Sequence, residues 1–203
     1  MLRNKKRWIK AVSGALAICL MLSVCQLHGT CESVRENVVR LHILANSDSA
    51  EDQALKLKVR DAVLEYTGTL LASVDSPEDA EALLSQRLGE VKSVAESALR
   101  LEGSELSVSV ELGRETYPTR SYADCCFPSG EYTSLRIMLG EARGENWWCV
   151  LFPPMCLSAA SEEQTAIQAG LTDEQYRLIT ESDRVRYKLR FKLLELVEEA
   201  VRE

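Results

Sequence analysis

The eleven residues from Asn146 to Cys156 (NWWCVLFPPMC) constrain the fold more than any other stretch of the chain. Two of the three tryptophans, two of the seven cysteines and two of the five prolines fall inside it. Successive side chains on a strand point to opposite faces, so the adjacent rings of Trp147 and Trp148 cannot enter one core together. One ring can face a core, and the other needs cover from something else. The apolar run from Trp147 to Phe152 therefore reads as a strand buried on both sides, or on one side plus a partner surface. Pro153 and Pro154 offer no N–H to a ladder and end it. No nucleophile is paired with a base here, so the block reads as structural or recognitional rather than catalytic.

A chain of 203 residues with 46% apolar content suggests one domain with appendages and a real core. Charge is divided unevenly. Arg3, Lys5, Lys6, Arg7 and Lys10 precede the first acidic residue, Glu32, and the rest of the chain sets 19 basic residues against 31 acidic ones, a net of −12. An acidic body argues against nucleic acid, whose phosphates demand a Lys/Arg surface, and against peripheral docking on anionic lipid. The basic start is followed by 15 mostly apolar residues, Ala11 to Cys25. As a helix that run spans about 22 Å, short of a hydrocarbon core of roughly 30 Å. Residues 1–31 are thus read as a signal peptide or N-terminal membrane anchor, with length favouring a signal peptide and Gly29 and Cys31 allowing cleavage near 29–31. A lipoprotein reading is weak, because Val24 precedes Cys25 and Thr30 precedes Cys31. Residues 32–203 are expected to work outside the cytoplasm.

Export changes how the cysteines read. Cys125, Cys126, Cys149 and Cys156 belong to the body, with Cys31 depending on cleavage. Four cysteines allow three connectivities, and Cys149 with Cys156, flanking the Pro-Pro turn, is the candidate disulfide. Buried free thiols and a metal site are the alternatives, although Cys-x-x-Cys spacing is absent.

The expected fold is α+β, a single domain with a mainly antiparallel sheet and helices packed on one face. Residues 38–44 alternate around Val39, Leu41 and Ile43 and predict a first strand. Ser49 with Asp52 opens a helix over about 50–66. Ser76, Pro77, Glu78 and Asp79 begin a long second helix reaching Leu101, in which Gly89 costs about 1 kcal/mol against alanine. Residues 106–112 alternate as a half-exposed strand, and 135–152 reads as a hairpin closed by Gly140 and Gly144. A short helix near 172–180 and an amphipathic C-terminal helix over about 183–202 complete the layout.

Chemistry-bearing residues are few. His42, alternating outward on a strand, has no orienting partner or Gly-x-Ser-x-Gly elbow in the sequence, so a surface or hydrogen-bonded role outweighs a general base. Asp48 and Asp52 suggest a turn and helix cap over calcium, since the loop lacks alternating ligands and a closing Glu. No Gly-rich phosphate loop is present, and neither a cofactor nor a metal is expected. The turn Asn46-Ser47-Asp48 and the exposed ring of the Trp147–Trp148 pair are the candidate receptor contacts, because polar turns and exposed Trp commonly carry binding.

The run from Tyr132 to Gly140 (YTSLRIMLG), followed by Gly144 to Cys156 (GENWWCVLFPPMC), resembles stage II sporulation protein R of endospore-forming bacteria. Arg40 to Ser49 (RLHILANSDS) with Glu51 to Asp61 (EDQALKLKVRD) is similar to the same family's other signature, and Tyr117 to Tyr122 (YPTRSY) adds to it. The chain departs from the pattern at Ala123 to Cys126 and at Ala142. What the resemblance implies is an exported, non-enzymatic signal. Such a protein is made in the forespore and delivered to the space between forespore and mother-cell membranes. There it switches on a membrane-embedded aspartic-type protease that processes the precursor of the mother-cell sigma factor E. That protease is the implied partner, with no nucleic acid and with membrane contact only through the N-terminal segment. A secreted hydrolase or a cell-envelope binding module is the alternative reading.

Overall fold

The computed structural model describes residues 2–121, 125–154 and 171–180. The chain runs α1 (Leu2–Glu36), β1 (Val39–Leu44), α2 (Ala50–Leu70), α3 (Pro77–Gln86), α4 (Leu88–Leu101), β2 (Val108–Tyr117), β3 (Arg120–Ser121), β4 (Cys126–Phe127), β5 (Gly130–Leu139), β6 (Asn146–Phe152) and α5 (Asp173–Thr180). The expected helix over 183–202 lies outside the described residues, as does Cys156.

The helix starts follow the side chains read from the sequence. Ser49 Oγ accepts the Asp52 N–H at 3.1 Å, and Ser76 Oγ accepts the Asp79 N–H at 3.1 Å, each satisfying a first-turn donor that has no partner inside its helix. Pro77 stands at the first position of α3, where its missing N–H costs nothing. The long helix expected over 76–101 is in fact two. Arg87 leaves helical geometry at φ −111° and ψ 13°, and α4 restarts at Leu88. Gly89 therefore sits in the first turn of a new helix, where low helical propensity matters least.

β1 is the strand on which the sheet depends, and here the sequence expectation is corrected. The sheet is mixed, in the order β2-β5-β1-β6. β1 runs parallel to β5 and antiparallel to β6, while β2 is antiparallel to β5. The 135–152 segment is not a hairpin, because β1 lies between its two strands. Val39 to Ile43 are all buried, Arg40 and His42 included, so β1 needs a neighbour on each edge and cover on each face. The loop from Gly140 to Glu145 crosses the end of β1 to connect the flanking strands. Two strand spacings, about 10 Å, are within reach of six residues.

Helices α2, α3 and α4 cover one face, burying Val39, Leu41, Ile43, Leu135, Ile137 and Leu139 against Val59, Val63, Leu84, Val91, Ala95 and Leu99. That α2, α3 and α4 share one face agrees with the sequence reading, but the helices are not confined to that face. The other face is covered at one end by the last turns of α1, the β3–β4 pair and α5, around Cys31, Val34, Tyr117, Phe127, Tyr132 and Ile179. α1 is a single helix of 35 residues whose last turns belong to that core. Arg35 packs against Gly130, where φ is +142° and a Cβ would fall 2.2 Å from Arg35 Nε. No helix among the described residues is long and apolar enough to cross a membrane.

Two glycine substitutions should move stability in opposite directions. A Cβ at Gly144 would lie 2.2 Å from the Ser47 carbonyl oxygen, whereas one at Gly89 meets nothing within 4 Å. In urea unfolding, Gly144→Ala is expected to lower stability by about 1–3 kcal/mol through overpacking. Gly89→Ala should raise it by about 0.5 kcal/mol by restricting the unfolded chain. Equal midpoints for the two variants would contradict the crossing-loop geometry.

Candidate functional site

The turn singled out in the sequence is where the crossing loop is fastened. Arg143 N–H donates to the Asn46 carbonyl at 3.2 Å, and Gly144 N–H to the Ala45 carbonyl at 2.9 Å. Asn46 Oδ1 accepts the Glu141 N–H at 2.9 Å, and Asp48 Oδ1 accepts the Glu145 N–H at 2.7 Å. Behind the turn, Asp52 Oδ2 accepts from Ser47 Oγ at 2.5 Å and from Asn46 Nδ2 at 2.9 Å. Lys56, buried in the second turn of α2, donates to the Glu145 carbonyl at 2.8 Å. Burial lowers its pKa, opposed by the charges of Glu145 and Asp48. Asn46 and Ser47 are half-buried with their side chains engaged inside the protein, while Asp48 is exposed. The carboxylates of Asp48 and Asp52 face protein donors, and no group of three or more His, Cys, Asp and Glu among the described residues is placed to hold a metal ion.

The two tryptophans solve their packing problem symmetrically. Both are half-buried, on opposite faces of β6, and each ring lies beneath an arginine. Arg60 of α2 stands 5.3 Å from the Trp147 ring centroid, and Arg120 of β3 stands 3.8 Å from that of Trp148. The His42 ring is 5.3 Å from Trp148 on its inner side. Neither ring is wholly core and neither is bare. Trp147 follows Asn146 directly after the crossing loop, so the sheet end holds Asn46, Ser47, Asp48 and Trp147 together, with Trp148 pointing to the other face.

A part-buried polar ladder beneath Trp148, running from the exposed Asn146 to the buried Tyr117, escaped the sequence reading. His42 Nδ1 lies 2.8 Å from Glu115 Oε1, and Nε2 lies 2.9 Å from Asn146 Oδ1. Ser134 Oγ donates to Glu115 Oε2 at 2.8 Å and accepts from the Tyr117 hydroxyl at 2.7 Å. Burial drives the Tyr117 pKa upward, against the lowering effect of the Ser134 bond, so the phenol stays protonated. One connected set of side chains thus spans all four strands of the sheet. Next to it Arg40, fully buried, places its guanidinium carbon 4.4 Å from the Tyr117 ring, 5.1 Å from Tyr132 and 5.3 Å from Phe127. Its Nε donates to the Cys149 carbonyl at 3.2 Å.

The ladder contains a serine, a histidine and an acid, but in an order unlike a catalytic triad. Glu115 stands between Ser134 and His42, so the hydroxyl bonds to the carboxylate and the imidazole does not reach it. The signal for this set was available in part. Residues 40 and 42 share one face of β1, and a central β1 buries that face.

Fold and site define an α+β class: a mixed four-stranded sheet with α2, α3 and α4 on one face and, on the other, a part-buried polar ladder beside the end of α1 and α5. Residues 35–162 match the family described as stage II sporulation protein R, and the chain belongs to that family. It is 42% identical over 123 residues to the stage II sporulation protein R of Bacillus subtilis (strain 168), covering 61% of this chain and 55% of that protein. The chain therefore spans about half the length of the curated relative it matches. No solved structure matches it.

The turn carries a pH signature. The hydrogen bond from Ser47, then that from Asn46, hold the Asp52 pKa below its ordinary 3.8, while burial acts the other way. A depressed folded value means this contribution to stability is full above the unfolded pKa and is lost as pH falls through the folded one. Asp52→Asn is expected to be less stable at pH 7 and to lose less on acidification between about pH 5 and pH 2. Parallel pH-stability curves for the two proteins would remove Asp52 from this role.

Proposed function

We propose that the chain is an exported signalling protein of sporulation that activates a membrane-embedded aspartic-type protease, leading to processing of the sigma factor E precursor in the mother cell. Family membership across residues 35–162 is the observation that carries this reading. The basic and then apolar N-terminal segment supports delivery into the space between forespore and mother cell. The geometry of His42 and Ser134, each engaged in the ladder in an order unsuited to acyl transfer, favours a ligand over the hydrolase alternative. Such a ligand acts by binding the active state of its receptor better than the inactive one. The proposed contact surface is the sheet end bearing Asn46, Ser47, Asp48 and Trp147, with Trp148 on the adjoining face.

Co-expression with the protease and the sigma precursor tests the proposal, and precursor cleavage is expected only when this chain is present. Asp48→Ala, Trp147→Ala and Trp148→Ala separate contact from packing when folded secreted protein is measured beside cleavage. A central Trp anchor is worth about 2 kcal/mol, roughly thirty-fold in affinity. Parallel loss of folded protein and cleavage would return the residue to a structural role, and cleavage that persists without the chain would end the ligand reading.

The proposal includes a Cys149–Cys156 disulfide across the Pro-Pro turn. Cys149 is buried on β6. Closing so short a loop stabilises by a few kcal/mol at most. Peptide mapping of the secreted protein without reduction should recover the two cysteines in one linked fragment, and two alkylatable thiols at these positions would exclude the bridge.

A further inference from the structure

β2 is an edge strand of ten residues, Val108 to Tyr117, at one end of the four-stranded sheet. It pairs with β5 in unbroken register from Val108↔Leu139 to Tyr117↔Gly130. Its outer edge accordingly presents the N–H and C=O groups of alternate residues, and among the described residues nothing hydrogen-bonds to them. Natural edges of this length are guarded by proline, lysine, a bulge or a charge lying across them. β2 contains no proline, lysine or bulge.

Its three charged side chains are all drawn back onto the sheet. Glu111 pairs with Arg136 of β5. Arg114 reaches Glu131 at 3.4 Å and Thr133 at 3.5 Å, both on β5. Glu115 is held by His42 and Ser134. Each charge is thus paired over the sheet and away from the outer edge, Glu111 and Arg114 in half-exposed pairs with β5 and Glu115 in the ladder that spans the sheet. Midway along the strand Gly113 is exposed, and a Cβ there would meet nothing within 4 Å. On the helical side Val110 and Leu112 remain only half-buried.

We propose that β2, on the sheet edge opposite β6, is a second contact for the same partner: a docking strand extended by an added antiparallel strand from the extracytoplasmic part of the activated protease, an inference that rests on the function proposed above. Main-chain bonds to the outer edge supply affinity, and alternate side chains supply selection. The matching segment is non-acidic, because the body carries a net charge of −12 outside its N-terminal basic cluster. It places apolar residues over Val110 and Leu112 and a bulky one over Gly113. The same net charge disfavours a second copy of this chain as the occupant, since two acidic bodies repel.

Amide hydrogen exchange on the full chain, alone and bound to membranes bearing the protease, tests the edge. Alternate β2 amides should slow at least tenfold on binding, and unchanged exchange there overturns the proposal. Slowing in the chain alone as its concentration rises would make a second copy the occupant and overturns it equally. Leu112→Pro and Gly113→Pro provide a functional arm, because one of two adjacent residues has its N–H on the outer edge. The variant that keeps the wild-type melting temperature should lower precursor cleavage at least tenfold, and a folded variant with wild-type cleavage counts against the docking strand. A wild-type chain that triggers no cleavage fails the receptor reading itself, and the occupant named here with it.

Discussion

Arg40 lies at the centre of a sheet with no exposure to solvent, and one face of the protein is organised around holding it there. Removing a guanidinium from water costs several kcal/mol unless its charge and donors find replacements. Three aromatic rings, from β2, β4 and β5, surround its charge, and the Cys149 carbonyl on β6 takes its Nε proton. Every strand neighbouring β1 contributes, directly or through the adjacent ladder. The polar ladder beside Arg40 follows from the same constraint. Once β1 is central, His42 is buried as well, and Glu115 and Asn146 must come from the two outermost strands to meet it. A slip of one residue in any pairing would turn these groups into the helical core, so the ladder fixes register as firmly as the apolar packing does.

The same ladder explains which parts of the fold were legible in the sequence. Caps and breakers act locally, so Ser49, Ser76 and Pro77 marked helix starts that the structure keeps. The four strands of the main sheet were equally legible, β1, β2 and β5 from alternation and β6 from its apolar run, whereas the short β3 and β4 left no such pattern. Strand neighbours were not, because Gly140 and Gly144 suit a hairpin turn and a crossing loop alike. What decides between them is the burial of β1 on both faces, and alternation around Val39, Leu41 and Ile43 suggests burial on only one. Reading His42 as an outward residue conceals the parallel β1–β5 pair. The break at Arg87 was hidden for a different reason, since the apolar stripe passes through it without interruption.

The candidate contact residues divide along similar lines. Asn46 and Ser47 were noticed for their polarity, and the structure puts that polarity to work fastening the crossing loop. Asp48 keeps an exposed position at the same turn. The tryptophans resist a simple core-or-surface division, because an arginine roof gives each ring partial cover while leaving it accessible at its rim. Their spacing in the sequence shows that they face opposite ways, but the identity of the two roofing residues depends on tertiary contacts far along the chain.

The unbroken run of α1 from Leu2 to Glu36 has a mechanical meaning. Its last turns pack into the second-face core beside Cys31 and Val34, with Arg35 against Gly130, so the helix runs into the domain without a break. At about 1.5 Å per residue the helix is a continuous rod of roughly 50 Å. While it remains whole, a grip on its far end sets the bearing of the sheet, and with it the direction in which the β2 edge looks.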